Sequence, residues 1–263
     1  WEIDTPFTQA AFDPKGTFFF GLRPDGTLEK RETADGSLID VIIQHPSELY
    51  DLDFSPDGSI LAAAYSDLFI RIYSTANGQM LGVLEGSARS LQFSPDGVWL
   101  AAGLEDGSVR LFILDEGRYY DLPGGHQAGV NDLAFLEDGR QLLTGSSDCT
   151  ASLWQVAGRN RIRSITPDKR DPFRIESLAI SPINARQFFS GARNGIYVME
   201  GTETQSVWMP DVVYHDLAIA PEGNALAATG AASHIFTRIS ENDPVSTPLE
   251  SVINGFTLAY TPD

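Results

Sequence analysis

His126, Ser146 and Asp148 are the residue types of a general base, a hydroxyl nucleophile and an orienting acid, and together they would serve acyl transfer. Glu176, His215 and Arg89 make a second trio, drawn from distant parts of the chain, with acid, base and anion-stabilising character. Metal chemistry finds less to use. His45, His126, His215 and His234 fall at separations that match no ligand pattern. Cys149 is the one cysteine, which excludes an intrachain disulfide and a multi-cysteine zinc site. It follows Asp148 with no base or cation beside it in sequence to activate the thiol. No glycine-rich phosphate loop stands between a strand and a helix. Most carboxylates sit in turns, where Asp bonds nearby backbone amides. A calcium ion in a turn or central channel is the one metal reading that oxygen-rich loops would suit. No cofactor is expected.

The body that carries these groups is acidic. Its 263 residues include 18 Lys and Arg against 36 Asp and Glu, for a net charge of −18 and a pI near 4.4. Such a surface repels phosphate backbones and anionic lipid, so nucleic acid is not an expected partner. No apolar run approaches the roughly 18 residues of a membrane helix, and no membrane insertion is expected. One segment runs against the charge. Arg159, Arg161, Arg163, Lys169, Arg170 and Arg174 place six of the 18 cations in 16 residues. Arg161 and Arg163 alternate as on an outer strand, and Lys169, Arg170 and Arg174 follow in a loop. That segment reads either as a cationic patch for an acidic peptide or as charge that guards an exposed strand edge.

The elements that position these residues repeat. Ser55-Pro56-Asp57-Gly58 recurs as Ser94-Pro95-Asp96-Gly97, with weaker copies whose second residues are 14, 137, 182, 221 and 262. Successive intervals are 42, 39, 42, 45, 39 and 41 residues, the period of a four-stranded propeller blade. Before each turn comes a short apolar strand such as Leu52-Asp53-Phe54, Leu91-Gln92-Phe93 or Leu133-Ala134-Phe135. After it come small and apolar residues, as in Ile60-Leu61-Ala62-Ala63-Ala64. An Asp-Gly type turn, a third strand and a more polar fourth strand complete the unit, with no helical period.

Gly125-His126, Leu133-Ala134-Phe135, Leu143-Thr144-Gly145-Ser146, Asp148 and Leu153-Trp154 resemble one full unit of the Trp-Asp-repeat (WD-repeat) propeller family. The second and third units follow the same pattern with Tyr73 and Phe112 in place of the tryptophan, while Arg31 and Met199 fall near that position in more degenerate units. The resemblance implies an all-β propeller of four-stranded antiparallel blades. The blades run roughly over 7–45, 49–87, 88–127, 130–168, 175–211 and 214–250, with the start of a seventh at 255–263 that Trp1 to Asp4 would pair beside. It also implies a structural role for His126, Ser146, Asp148 and Trp154, as a hydrogen-bonded chain that locks a blade together. Beginning at Trp1, the chain is expected to be a fragment of a larger protein.

One position recurs a step into each innermost strand: Thr8, Tyr50, Arg89, Asn131, Glu176, His215 and Phe256. In the family's geometry it lies near the channel mouth, on the partner-binding face. The next position, Gln9, Asp51, Ser90, Asp132, Ser177, Asp216 and Thr257, is small and polar and suits bonds between blades. The mouth residues either form a protein or peptide interface, for which Tyr, Arg and Phe are good anchors, or line and plug the channel. The expected function is a non-catalytic interaction scaffold or sensor propeller. The alternatives are a small ligand or ion in the channel, or an enzyme with a site at its mouth.

Overall fold

The computed structural model describes residues 7–248 apart from 8, 46, 137, 167–172, 184–185, 192–193, 201–202, 221, 231–233, 238 and 240–244. Six four-stranded antiparallel blades follow one another around a ring, the arrangement of a β-propeller. Among the described residues, helix is limited to one short 3-10 turn, Leu114–Glu116. The start of a seventh blade, 255–263, and Trp1 to Asp4 lie outside the described residues.

The recurring turn makes each blade. In the second blade, Leu49–Phe54 reverses into Ile60–Tyr65. There Ser55 Oγ donates to Asp57 Oδ1 at 2.6 Å and accepts the Ile60 N–H at 3.0 Å, while Gly58 supplies a φ of 74°. The third blade repeats this with Ser94, Asp96, Trp99 and Gly97, at 2.6 Å, 2.9 Å and a φ of 72°. A left-handed residue at this point favours glycine, and serine and aspartate satisfy the turn's amides, so the four-residue signature follows from the geometry.

The run of small and apolar residues in each second strand is explained by burial on both faces. Along Ile60–Tyr65, Leu61, Ala63 and Tyr65 pack against Phe20, Leu22 and Leu28 of the first blade, whereas Ala62 and Ala64 pack against Leu91, Leu100 and Ala102 of the third. Alternate side chains point to opposite faces of a strand, so one strand serves two interfaces. Five such layers, each between successive blades, form the core.

Hydrogen bonds also run between blades, from side chains of one inner strand to the backbone of the next. Asp51 Oδ2 accepts the Leu91 N–H and Asp53 Oδ2 the Phe93 N–H, both at 2.7 Å. Gln92 accepts from Phe135 at 2.6 Å, Asp132 from Leu178 at 2.7 Å, and Ser177 Oγ from Leu217 at 3.2 Å.

The fifth and sixth units are joined through a shared strand. One continuous strand, Glu203–Ile219, pairs through Trp208 with Ile196 in the fifth blade and through Tyr214 with Gly230 in the sixth. The ladder shifts register between Ile196, which pairs with Trp208, and Asn194, which pairs with Val213, and the strand takes its next partner from Tyr214 onward.

Candidate functional site

The innermost strands carry the mouth residues on a shared defect. In the second blade Leu49 pairs with Tyr65 and Asp51 with Ala64, so Tyr50 is skipped by the ladder. Arg89, Asn131, Glu176 and His215 are skipped in the same way in the next four blades. A bulge of this kind leaves the extra residue unpaired and re-aims its side chain. Five blades thus place their second inner-strand residue on one face. Tyr50, Arg89, Asn131 and Glu176, together with Arg174, line a depression of about 300 Å³, and His215 borders it through Glu176. Thr8 and Phe256 lie outside the described residues.

The polar groups of this face are held in place. Arg89 donates through Nη2 and Nε to Glu105 Oε1 at 2.8 and 3.2 Å, and Ser87 steadies the other oxygen of Glu105 at 2.8 Å. Asn131 Nδ2 donates to the Ile175 carbonyl at 2.7 Å and to Ser147 Oγ at 2.9 Å, tying the fourth blade to the fifth. Glu176 accepts from Arg174 and bonds His215 Nδ1 at 2.6 Å. Burial opposes ionisation of Glu176, but the hydrogen bonds from His215 and Arg174 outweigh it and hold its carboxyl below the usual range. Arg89 and His215 remain exposed, at 44% of their side-chain surface each, and so remain available to a partner. The trio Glu176, His215 and Arg89 is therefore split. Glu176 and His215 form a pair, while Arg89 is engaged by Glu105.

The blade-locking chain has a different member from the one expected. His126 Nδ1 lies 3.1 Å from Asp148 Oδ2, and its Nε2 lies 2.8 Å from Thr144 Oγ1. Trp154 Nε1 donates to that same Thr144 oxygen at 2.9 Å. Ser146 stands off the chain. Its Oγ donates to the Ala128 carbonyl at 2.9 Å and accepts the Asp148 N–H at 3.0 Å. Burial lowers the His126 pKa against the pull of Asp148, so the ring is neutral at neutral pH. One proton assignment then satisfies every group: Trp154 N–H to Thr144, Thr144 O–H to His126 Nε2, and His126 Nδ1–H to Asp148. An acid, a histidine and a hydroxyl in line resemble a catalytic triad. Here the Thr144 hydroxyl is fully buried and already accepts the indole N–H, which leaves no approach for a substrate.

The cationic segment separates in space. Arg161 lies on the outer strand Asn160–Ile165, donating to the Gly124 carbonyl at 2.9 Å and packing over Trp154. Arg163 lies on the same strand, beyond a register shift at Ile162, with its Nε buried. Arg174 stands instead beside the inner strand Ile175–Ile180 at the mouth. Lys169 and Arg170 lie outside the described residues. The described members are thus divided between the rim of one blade and the mouth of the next. Sequence reasoning missed Glu105, Ser87 and Ser147 as supports of the mouth. Each lies outside the inner-strand ladder, in the loop that precedes it or in a turn after the second strand, where no repeat position marked it.

Among the described residues, no group of three or more His, Cys, Asp or Glu is placed to hold a metal ion, and no helix is long and apolar enough to cross a membrane.

Three stretches, residues 36–74, 78–112 and 119–155, match the family described as WD domain, G-beta repeat. Each match begins near the outer strand of one blade and ends in the third strand of the next, so the sequence repeat is offset by one strand from the structural blade. Propellers of this family generally serve as protein-interaction scaffolds and are typically non-catalytic. Three units matched by sequence, within six blades of one build, support a WD-repeat family for this chain.

Proposed function

We propose that the chain is a non-catalytic platform that binds a protein or peptide partner on its mouth face, through Tyr50, Arg89, Asn131, Glu176 and His215. The observation that carries this reading is the repeated bulge, which aims one side chain from each of five blades onto the same face. The resulting surface is chemically mixed, with an aromatic, a guanidinium, an amide and a carboxylate–imidazole pair around a depression of about 300 Å³. Mixed anchors with Tyr and Arg among them suit a protein interface. Their supporting bonds also fix their positions before binding, which lowers the ordering cost of association.

The test is affinity capture from the native source with the parent chain and with a variant carrying Tyr50→Ala, Arg89→Glu and Glu176→Arg. All three side chains lie on the mouth face, so circular dichroism should be unchanged. Partners retained by the parent and lost by the variant are the expected result. An identical set retained by both baits would overturn the assignment to this face.

A further inference from the structure

The outermost strand of a blade has a free edge, which soluble proteins guard with charge or proline. Guarding in this chain is uneven. Arg118–Asp121 carries charge at both ends, Asn160–Ile165 carries Arg161 and Arg163, and Val245–Pro248 ends in proline. The outer strands of the first two blades, Leu38–Gln44 and Met80–Glu85, carry no lysine, arginine or proline and one carboxylate each. Leu38, Ile39 and Val41 on the first and Met80, Leu81 and Val83 on the second are 45–54% exposed. These strands are neighbours on the rim. Ile42 Cγ2 lies 3.2 Å from the position a Cβ would take on Gly78, two residues before Met80.

The edge of Met80–Glu85 is open to pairing as well as apolar. Gly86 N–H donates to the Leu68 carbonyl at 3.0 Å. Alternation along an antiparallel ladder then makes Ile70–Leu84 and Ile72–Gly82 the bonded pairs and turns the backbone groups of Val83 and Glu85 outward, where the Glu85 carbonyl accepts Arg110 Nη1 at 3.0 Å. The face of the strand is open beside this edge: apart from chain neighbours, no described atom lies within 4 Å of where Gly82 would carry a Cβ. Charge decides what can occupy it. The Asp40 and Glu85 carboxylates flank the apolar side chains, and among the described residues the nearest cation bond is Arg110 Nη1 to the Glu85 main-chain carbonyl at 3.0 Å. A second copy would bring one chain of net charge −18 against another, which long-range repulsion opposes.

We propose that the outer edge of the second blade accepts an extended segment of a partner protein as a fifth strand, apolar at alternate residues and flanked by lysine or arginine. The N–H and C=O of Val83 and the N–H of Glu85 supply the main-chain bonds, the exposed apolar side chains receive every second residue, and the acidic flanks select the cations. This surface is distinct from the mouth face.

The test uses the whole chain and a fluorescein-labelled peptide, Lys-Lys-Val-Thr-Val-Thr-Val-Thr-Lys-Lys, read by fluorescence anisotropy. Saturable binding at about 1–100 μM is expected. It should weaken by about tenfold or more in Val83→Pro, which removes an outward N–H, and in Val83→Lys, which guards the edge with charge. Ile162→Lys, on the outer strand of the fourth blade, should leave it unchanged. A peptide with proline at the central valine should also bind about tenfold more weakly. Val83→Lys alters an exposed side chain, so it keeps the test decisive where the proline variant fails to fold. The proposal is overturned if no binding is seen at about millimolar peptide, if Val83→Lys binds as the parent does, or if the proline peptide binds equally. A dimer seen by sedimentation and dissolved by Val83→Lys would overturn it too, by making a second copy the occupant.

Discussion

Thr144 shows how one hydroxyl can hold a blade together. Its oxygen accepts the Trp154 N–H and its proton meets His126 Nε2, both in the buried interior. Replacing it with the nearly isosteric valine keeps the packing and leaves two buried polar groups unpaired. Thr144→Val should therefore lower stability by about 2–3 kcal/mol, since each unmade buried bond forfeits its desolvation cost. Ser146→Ala, which removes the bond to the Ala128 carbonyl and the one accepted from the Asp148 N–H, both only partly buried, should cost less, about 1 kcal/mol. Equilibrium urea unfolding measures both, and equal losses would place Ser146 on a par with Thr144. The sequence could not separate these two residues. They are two apart on one strand and share a face, so periodicity assigns them alike; only depth along the strand distinguishes them. The same register position explains why other blades lack the chain. In the second and third blades Ala63 and Ala102 pair with Leu52 and Leu91 where Thr144 pairs with Leu133, and alanine offers no hydroxyl.

Inner strands are stitched to one another by aspartates that give up much of their contact with water. Burial pushes the Asp53 carboxyl up to about 7 and the Asp132 carboxyl up to about 6, against the backbone amides that they accept. An unfolded Asp titrates near 3.9. Between that value and about 7 the folded chain holds a proton on Asp53 that the unfolded chain has lost. The stabilisation from this group is thus complete below about pH 4 and is lost as pH rises through 7, with a slope of at most about 1.4 kcal/mol per pH unit. Asp53→Asn stays neutral and can still accept the Phe93 N–H. It should match the parent most closely below about pH 4 and exceed it in stability at pH 8, as urea midpoints at the two values would reveal. Parallel pH profiles for the two proteins would contradict this. His126, whose pKa is lowered by burial, acts with the opposite sign, destabilising as pH falls below about 6.5, and so the variant is needed to isolate Asp53. At this scale the sequence was largely legible. The recurring turn set the strands, and the small polar position after each mouth residue pointed to bonds between blades. What was hidden was the pairing partner, as in Glu203–Ile219, one strand that serves two blades.

At the scale of the whole ring, charge works against compactness. Twice as many acids as bases leave a net −18 on one body, and like charges at this density repel over the length that salt leaves unscreened. Ion pairs oppose that repulsion locally. Arg71 and Asp67 pair at 2.6 Å, as do Arg110 and Asp121, and Arg89 meets Glu105 at 2.8 Å. Surface pairs of this kind each contribute about 0–1 kcal/mol and are weakened by salt. Every cation could be paired once and half the acids would still be unmatched, so repulsion outweighs the pairs and screening should help the fold. Raising sodium chloride from about 10 mM to about 0.5 M, which shortens the screening length well below the width of the ring, should raise the unfolding midpoint. The expected rise is about 2–4 °C, the change that roughly 1 kcal/mol makes in a domain of this size. A fall in the midpoint, followed by circular dichroism at both salt concentrations, would mean that the local pairs outweigh the field. The same screening should strengthen self-association while weakening capture of a cationic segment on the second blade's edge. Salt therefore separates the two occupants of that edge by the sign of its effect.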